Sequence, residues 1–233
     1  VGIVRKACDL GLAVVEAVNP RDFTDDARRT VDDTPYGGGP GMVMLAEPLR
    51  RALDSIRGTG LPAPHVVGLS PQGRRLDERG LTELGSHEHL VFLAGRYEGI
   101  DERVIERCVD SEWSLGDFVM SGGELAAMAI IDALVRRLPG ALGDERSAVE
   151  DSFTDGLLDH PHYSRPELVD GMAVPAVLRS GNHAEIARWR RQQALGRTWI
   201  RRPDLLGLAT LTQADRRLLD EFIETLAGNS KES

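Results

Sequence analysis

The sequence predicts an α/β protein, with a parallel sheet wrapped by helices over the first two-thirds of the chain and a separate helical part behind it. Two observations carry this. Short apolar and β-branched runs, ended by Gly, Pro or Asn, alternate with stretches of helical periodicity, the order in which crossover helices join buried parallel strands. Glycine-rich turns fall directly behind several of those runs, where open parallel sheets place their ligands.

Taken in order, residues 13–18 (AVVEAV), 66–69 (VVGL) and 90–94 (LVFLA) read as strands. Helices are expected over Glu47 to Ile56, with Pro48 tolerated in the first turn, over Asp101 to Cys108, and over Glu124 to Leu138, where Pro139-Gly140 closes the pattern. Beyond Gly143 the chain turns polar (Asp144-Glu145-Arg146-Ser147) and stays irregular through Gly156, as a linker or active-site segment does. Asn182 with Glu185 three residues on makes a capping-box pattern opening the next helix, and Thr212 to Leu226 carries leucines at helical spacing.

Composition bounds the function. The 233 residues are 41% hydrophobic and 28% charged, enough for one large domain or two modest ones. No apolar run reaches the roughly 18 residues that cross a bilayer and no signal peptide is visible, so a soluble cytoplasmic protein is expected. Cys8 and Cys108 stand far apart without metal-ligand spacing and read as small buried thiols in a reducing compartment. A net charge of −9 argues against a chain that coats nucleic acid indiscriminately. One stretch runs the other way: from Arg179 to Arg202 there are seven arginines against the single acid Glu185, with Trp189 and Trp199 interleaved. Such a stretch suits phosphate contact and base stacking; equally, it can be a solvated arginine-rich amphipathic helix.

The strongest local signal is Ser114 to Glu124, an apolar segment broken by Gly116, Gly122 and Gly123. Bare glycine backbone lets main-chain groups approach a ligand closely, while Leu115, Phe118 and Met120 can enclose something flat, or simply belong to the core. Two further turns, Leu69-Ser70-Pro71-Gln72-Gly73 and Gly95-Arg96-Tyr97-Glu98-Gly99, follow their own strands. None closes with Gly-Lys-Ser/Thr or has the dinucleotide Gly-x-Gly-x-x-Gly spacing, and the run Gly37-Gly38-Gly39-Pro40-Gly41 lacks the lysine of a phosphate loop.

Several of these strings together carry a family likeness: Thr30-Val31-Asp32-Asp33-Thr34-Pro35-Tyr36 through Met42, Leu69 to Gly73, Gly95 to Arg103, and Ser114 to Glu124. Glu150-Asp151-Ser152, Pro161-His162-Tyr163-Ser164-Arg165-Pro166, Ser180-Gly181-Asn182-His183 and Arg201-Arg202-Pro203 continue it in the same order. The chain resembles the bacterial tRNA (guanine-N1)-methyltransferases of the SPOUT superfamily. The likeness implies a parallel sheet with a deep C-terminal trefoil knot and a small all-helical C-terminal domain, working as a homodimer. The implied organisation is a catalytic domain over 1–142, a linker carrying the general base over 143–158, and a helical tRNA-binding domain over 159–233. Members of the family begin with a strand and a Phe-Pro-Glu-Met-Phe turn that this sequence does not contain, so an inner strand is expected to be lacking.

By the same likeness S-adenosylmethionine is held by Leu69, Ser70, Gly95, Tyr97, Leu115, Gly116, Asp117, Phe118, Val119, Met120, Gly122 and Gly123. Asp151 matches the general base that removes the guanine N1 proton, acting from the other subunit; Arg136 matches the arginine that stabilises charge developing on O6. Glu98 matches the acceptor selecting guanine through N1–H and the amino group. Read without the family, the three are an ordinary linker aspartate, a helix-end cation and a helix cap. Arg188, Trp189, Arg191 and Arg201 are expected to grip the tRNA anticodon arm. Magnesium assistance is implied, but no carboxylate cage locates an ion, and the pairs His87/His89 and His160/His162 read as surface histidines. Two other readings fit part of the pattern: a SPOUT enzyme acting on ribosomal RNA or a ribose 2′-hydroxyl, and a non-catalytic donor-binding RNA module.

Overall fold

The structure, a computed structural model, describes residues 2–143 and 151–229, in two compact units divided after Gly143. The central element of the first unit is β3 (His65–Arg75), flanked by β4 (Leu90–Ala94) and β5 (Ser111–Ser114), both parallel to it. The run at 66–69 is almost uninterrupted in apolarity because helices cover both faces of the sheet. Val66 points into a cluster with Leu49 and Leu53 of α2 (Ala46–Arg57), Val104 of α4 (Glu102–Cys108), Met44 and Leu93. Val67, one residue on, faces the other way into Leu84 of α3 (Glu78–Leu84), Trp113, and Ala126 and Ile130 of α5 (Glu124–Val135). Each such fully buried aliphatic side chain contributes about 1.5–3 kcal/mol.

Local chemistry sets the helix ends. The Asp101 carboxylate accepts the Arg103 amide at 3.0 Å and caps α4, and Asp77 accepts the Gly80 amide at 2.9 Å and caps α3. Helix α5 stops at Val135, three residues before the expected end, with Arg136 as its C-cap. Helix α1 (Ile3–Asp9) was not expected; its buried Ala7 packs with Val135 and Ala141.

The expected strand at 13–18 does not form. Val14, Val15 and Val18 are 83%, 49% and 44% exposed, and no described segment offers them a ladder. β-branched residues favour strands only where a pleated, half-buried surface receives them. A short antiparallel pair, β1 (Asp32–Asp33) with β2 (Val43–Met44), closes the glycine-rich turn between them. Cys8 and Cys108 are both free thiols.

The second unit holds α6 (His183–Arg201), α7 (Pro203–Leu208) and α8 (Gln213–Asn229). It is not wholly helical: β6 (Leu168–Val169) and β7 (Met172–Ala173) pair across Asp170-Gly171, both in the left-handed backbone region that a tight hairpin demands. Helix α6 begins as its cap dictates, the Asn182 side chain accepting the Glu185 amide at 3.3 Å. Helix α8 is capped reciprocally: Thr212 Oγ1 accepts the Asp215 amide at 3.1 Å while Asp215 accepts the Thr212 amide at 3.1 Å. The polar stretch Asp144-Glu145-Arg146-Ser147, most of the start of the expected linker, and Glu150 lie outside the described residues.

Candidate functional site

Three chain segments emerge side by side at the carboxyl ends of β3, β4 and β5. After Leu69 the β3 ladder opens, Ser70 to Gly73 loop out, and Arg74 and Arg75 rejoin the same neighbour at Trp113 and Ser114. Ser70 Oγ accepts the Gln72 amide at 3.1 Å and shapes this excursion. Its closing residue must be glycine, since a Cβ on Gly73 would sit 2.4 Å from the Trp113 backbone nitrogen.

The segment leaving β5 folds back onto the end of β4. Ser114 Oγ accepts the Gly116 amide at 3.2 Å and donates to the Gly116 carbonyl at 3.0 Å, turning the chain. Arg96 and Gly122 then form an antiparallel bridge, and the Gly123 amide donates to the Gly95 carbonyl at 2.8 Å. The two backbones touch: a Cβ on Gly123 would lie 2.8 Å from Ala94 Cα. Glu124, opening α5, pairs with Arg96. Burial alone would raise the Glu124 carboxyl; the Arg96 hydrogen bond and charge outweigh it and hold the group below its ordinary value.

The expected donor-binding residues therefore divide. Leu69, Ser70, Gly95, Leu115, Gly116, Met120, Gly122 and Gly123 belong to these adjoining strand exits, with Leu115 and Met120 leaning on the Val67–Trp113 core cluster. Phe118 and Val119 point outward, 57% and 83% exposed, and Asp117 and Tyr97 are also exposed, Tyr97 in the left-handed backbone region.

Glu98 is positioned by the glycine-rich turn between β1 and β2. Its amide donates to the Met42 carbonyl, the Met44 amide to Gly99, and the Asp101 amide to Met44, each near 3 Å. Gly41 lies so close that a Cβ there would meet the Glu98 side chain at 2.3 Å. Arg136 is elsewhere. It caps the far end of the helix that starts at Glu124, about 18 Å along the axis at 1.5 Å per residue. One copy of the chain does not bring Arg136 to Gly122 and Gly123.

In the second unit, Asp151 is half-buried at the start of a compact segment. Ser152 Oγ accepts the Asp159 amide at 3.0 Å, and the Leu158 amide reaches Thr198 Oγ1 of α6 at 2.9 Å. Asp159, His160 and His162 converge, with ligand-capable atoms within 4.8 Å of one another. Burial pushes Asp159 up, but the hydrogen bond from His162 at 2.8 Å, the His160 amide and both imidazoles hold it low. The expectation of plain surface histidines needs correcting here: His162 is exposed, whereas the His160 side chain is only 14% exposed. His87 instead stacks on His65 at 4.0 Å, and His89 bonds the Pro62 carbonyl.

The basic helix is less uniform than its sequence. Arg188 pairs with Glu221 of α8, and Arg191 with both Asp215 and Asp155. The Arg191 guanidinium, with Thr212, draws the Asp215 carboxyl down to about 2. Trp189 leans on Tyr163 at 6.4 Å, and Arg201 is exposed.

Comparison with known proteins identifies what the chain is similar to. Residues 1–208 match the family model described as tRNA (Guanine-1)-methyltransferase TrmD. Curated proteins named tRNA (guanine-N(1)-)-methyltransferase are similar over nearly full length. The one from Aliivibrio fischeri is 56% identical over 230 residues, covering 99% of this chain and 92% of its own. Those from Vibrio cholerae and Proteus mirabilis are 57% identical (96% and 90% covered) and 58% identical (95% and 88%). No helix among the described residues is long and apolar enough to cross a membrane.

Proposed function

The chain belongs to the tRNA (guanine-1)-methyltransferase family, and on that premise we propose that it methylates N1 of the guanosine immediately 3′ of the tRNA anticodon. The observation that carries the reading is the docking of Ser121–Gly123 on Ala94–Arg96, backbone against backbone, beside Leu115 and Met120 at the strand ends. Glycine main chain beside two apolar side chains suits a flat adenine and a thin sulfonium chain, because backbone N–H and C=O groups can approach them closely. S-adenosylmethionine is the methyl source in this reading: its S–CH3 bond breaks as the N1–CH3 bond forms. The path of Ser114–Gly123, pressed between the β3 excursion and the β4 exit, supports the knotted topology that the family likeness implies.

The protein's own groups handle the proton and the charge. The Asp151 carboxylate takes the N1 proton and passes it to solvent; Arg136 faces the negative charge that grows on O6 as N1 loses its proton. Glu98, held by Met42 and pressed by Gly41, accepts from the exocyclic amine and holds the guanine edge until Asp151 takes the N1 proton; adenine presents neither donor there. We read the site as shared between two copies. The separation of Arg136 from the glycine strip supports this, as does the exposed apolar surface of Phe118, Val119, Leu125 and Met128 (57%, 83%, 57% and 58% exposed). The magnesium ion that the likeness implies does not fit the residues described: it prefers an all-oxygen shell, and the ligand cluster at Asp159 brings two imidazoles. The cytoplasm, where tRNA is modified, is the expected compartment.

The test is transfer of labelled methyl from S-adenosylmethionine to an unmodified tRNA transcript carrying guanosine at the target position, beside one carrying adenosine there. Label on the first alone, mapped to guanine N1, is expected; equal label on both defeats the reading. Asp151→Ala should keep donor binding and lose at least ~100-fold in turnover. Mixed with a Gly123→Ala variant that cannot hold donor, it should regain part of the activity through mixed dimers, and no regain would refute the shared site.

A further inference from the structure

Helix α6 carries two sets of cations. Arg188 and Arg191 lie on the side that buries Leu195 and Thr198, and both are tied to carboxylates, Arg191 to two of them. At 3.6 residues per turn, His183, Arg190, Arg197 and Arg201 fall on one stripe about a third of a turn from that side. No side chain of the four makes a hydrogen bond or ion pair to a described residue. The stripe carries no acid: the helix's only carboxylate, Glu185, lies well round the cylinder from it. His183, Arg190 and Arg201 are exposed and Arg197 is half-buried.

We propose that the stripe of His183, Arg190, Arg197 and Arg201 is the surface that tracks the phosphate backbone of the RNA substrate, and that Arg188 and Arg191 serve the fold. The inference rests on the reading that the substrate is tRNA. An arginine already locked between two carboxylates must break both contacts to meet a phosphate, whereas an unpaired guanidinium gives its forked donors at once. The rise of α6 spaces Arg190, Arg197 and Arg201 by about 10 and 6 Å along the axis. Trp189, about a quarter-turn off the stripe and leaning on Tyr163, puts an aromatic pair beside the charges for an unstacked base.

The test is tRNA binding by the full chain and its R190A/R197A/R201A variant across a sodium chloride series, with the all-lysine triple as rescue. The alanine triple should lose at least about 10-fold in affinity and flatten log K against log[salt] by about 2 to 3, near one counterion per cation; lysines should restore most of the slope. Donor-induced thermal stabilisation should persist, and the loss should fall on KM more than on kcat. Arg191→Ala should instead lower the melting temperature, which the triple leaves in place. Affinity and slope unchanged in the triple would overturn the stripe even if the wild type methylates its guanosine. A wild type that binds tRNA along this stripe but transfers no methyl would overturn the assigned reaction and leave the stripe standing.

Discussion

Two glycine-rich regions of the first unit look alike in sequence and do opposite work. In the turn between β1 and β2, Gly37, Gly38 and Gly39 adopt φ of +87°, +75° and +121° with nothing within 4 Å of where a Cβ would stand. At the strand exits, Gly73 and Gly123 avoid the left-handed region, yet a Cβ on either would strike backbone at 2.4 and 2.8 Å. The first group is glycine for its dihedral freedom, the second for its lack of volume. In the second group the glycine itself stands where two stretches of main chain press together, which Gly37 to Gly39 do not.

The comparison is sharpest at Gly73→Ala, where rigid Trp113 backbone cannot yield: a loss of about 3 kcal/mol is expected, roughly 6–12 °C in melting temperature, read by thermal or denaturant unfolding. Gly123→Ala should cost about 2 kcal/mol in stability and, because it pushes the Ser121–Gly123 strip off Ala94, abolish the thermal shift produced by S-adenosylmethionine. Gly38→Ala meets no atom and should cost only about 1 kcal/mol of backbone strain, with Gly38→Asn recovering part of it. A larger loss at Gly38 than at Gly73 would reverse the assignment of the two kinds. The second unit offers a separate contrast, being pinned by charge rather than by close backbone. With Asp215 drawn from 3.8 to about 2, its contribution of about 2 kcal/mol is fully present above pH 4 and fades as pH falls through 2. Arg191→Ala should shrink that acid-dependent loss to the share the Thr212 hydrogen bonds supply, as measured by unfolding of the second unit between pH 5 and 2.

Much of the architecture was legible in residue order. The β4 run at Leu90–Ala94, the middle of β3, the Asp101 and Asn182 caps and the glycines of Ser114–Glu124 announce themselves by local chemistry. The β-branched run at 13–18 misled, since strand propensity says nothing about whether a neighbour exists to receive the ladder. Helix α1 escaped notice because seven residues give too little periodicity, and its one buried side chain, Ala7, is small. Arg188 and Arg191 could not be told from Arg190 in the sequence; the distinction is made by Glu221, Asp215 and Asp155, between 24 and 36 residues away.

By itself, then, the sequence determined which segments are helix or strand wherever a cap or an uninterrupted apolar run decides the matter, and its motifs determined the family and hence the chemistry. Tertiary structure alone decided which glycines are needed for room and which for rotation, which arginines are tied to carboxylates, and that Arg136 stands a full helix away from Gly122 and Gly123. The reason is physical: caps and periodicity act over one turn of chain, whereas a backbone collision, a shared carboxylate and a distance across a helix exist only once remote segments have been brought together.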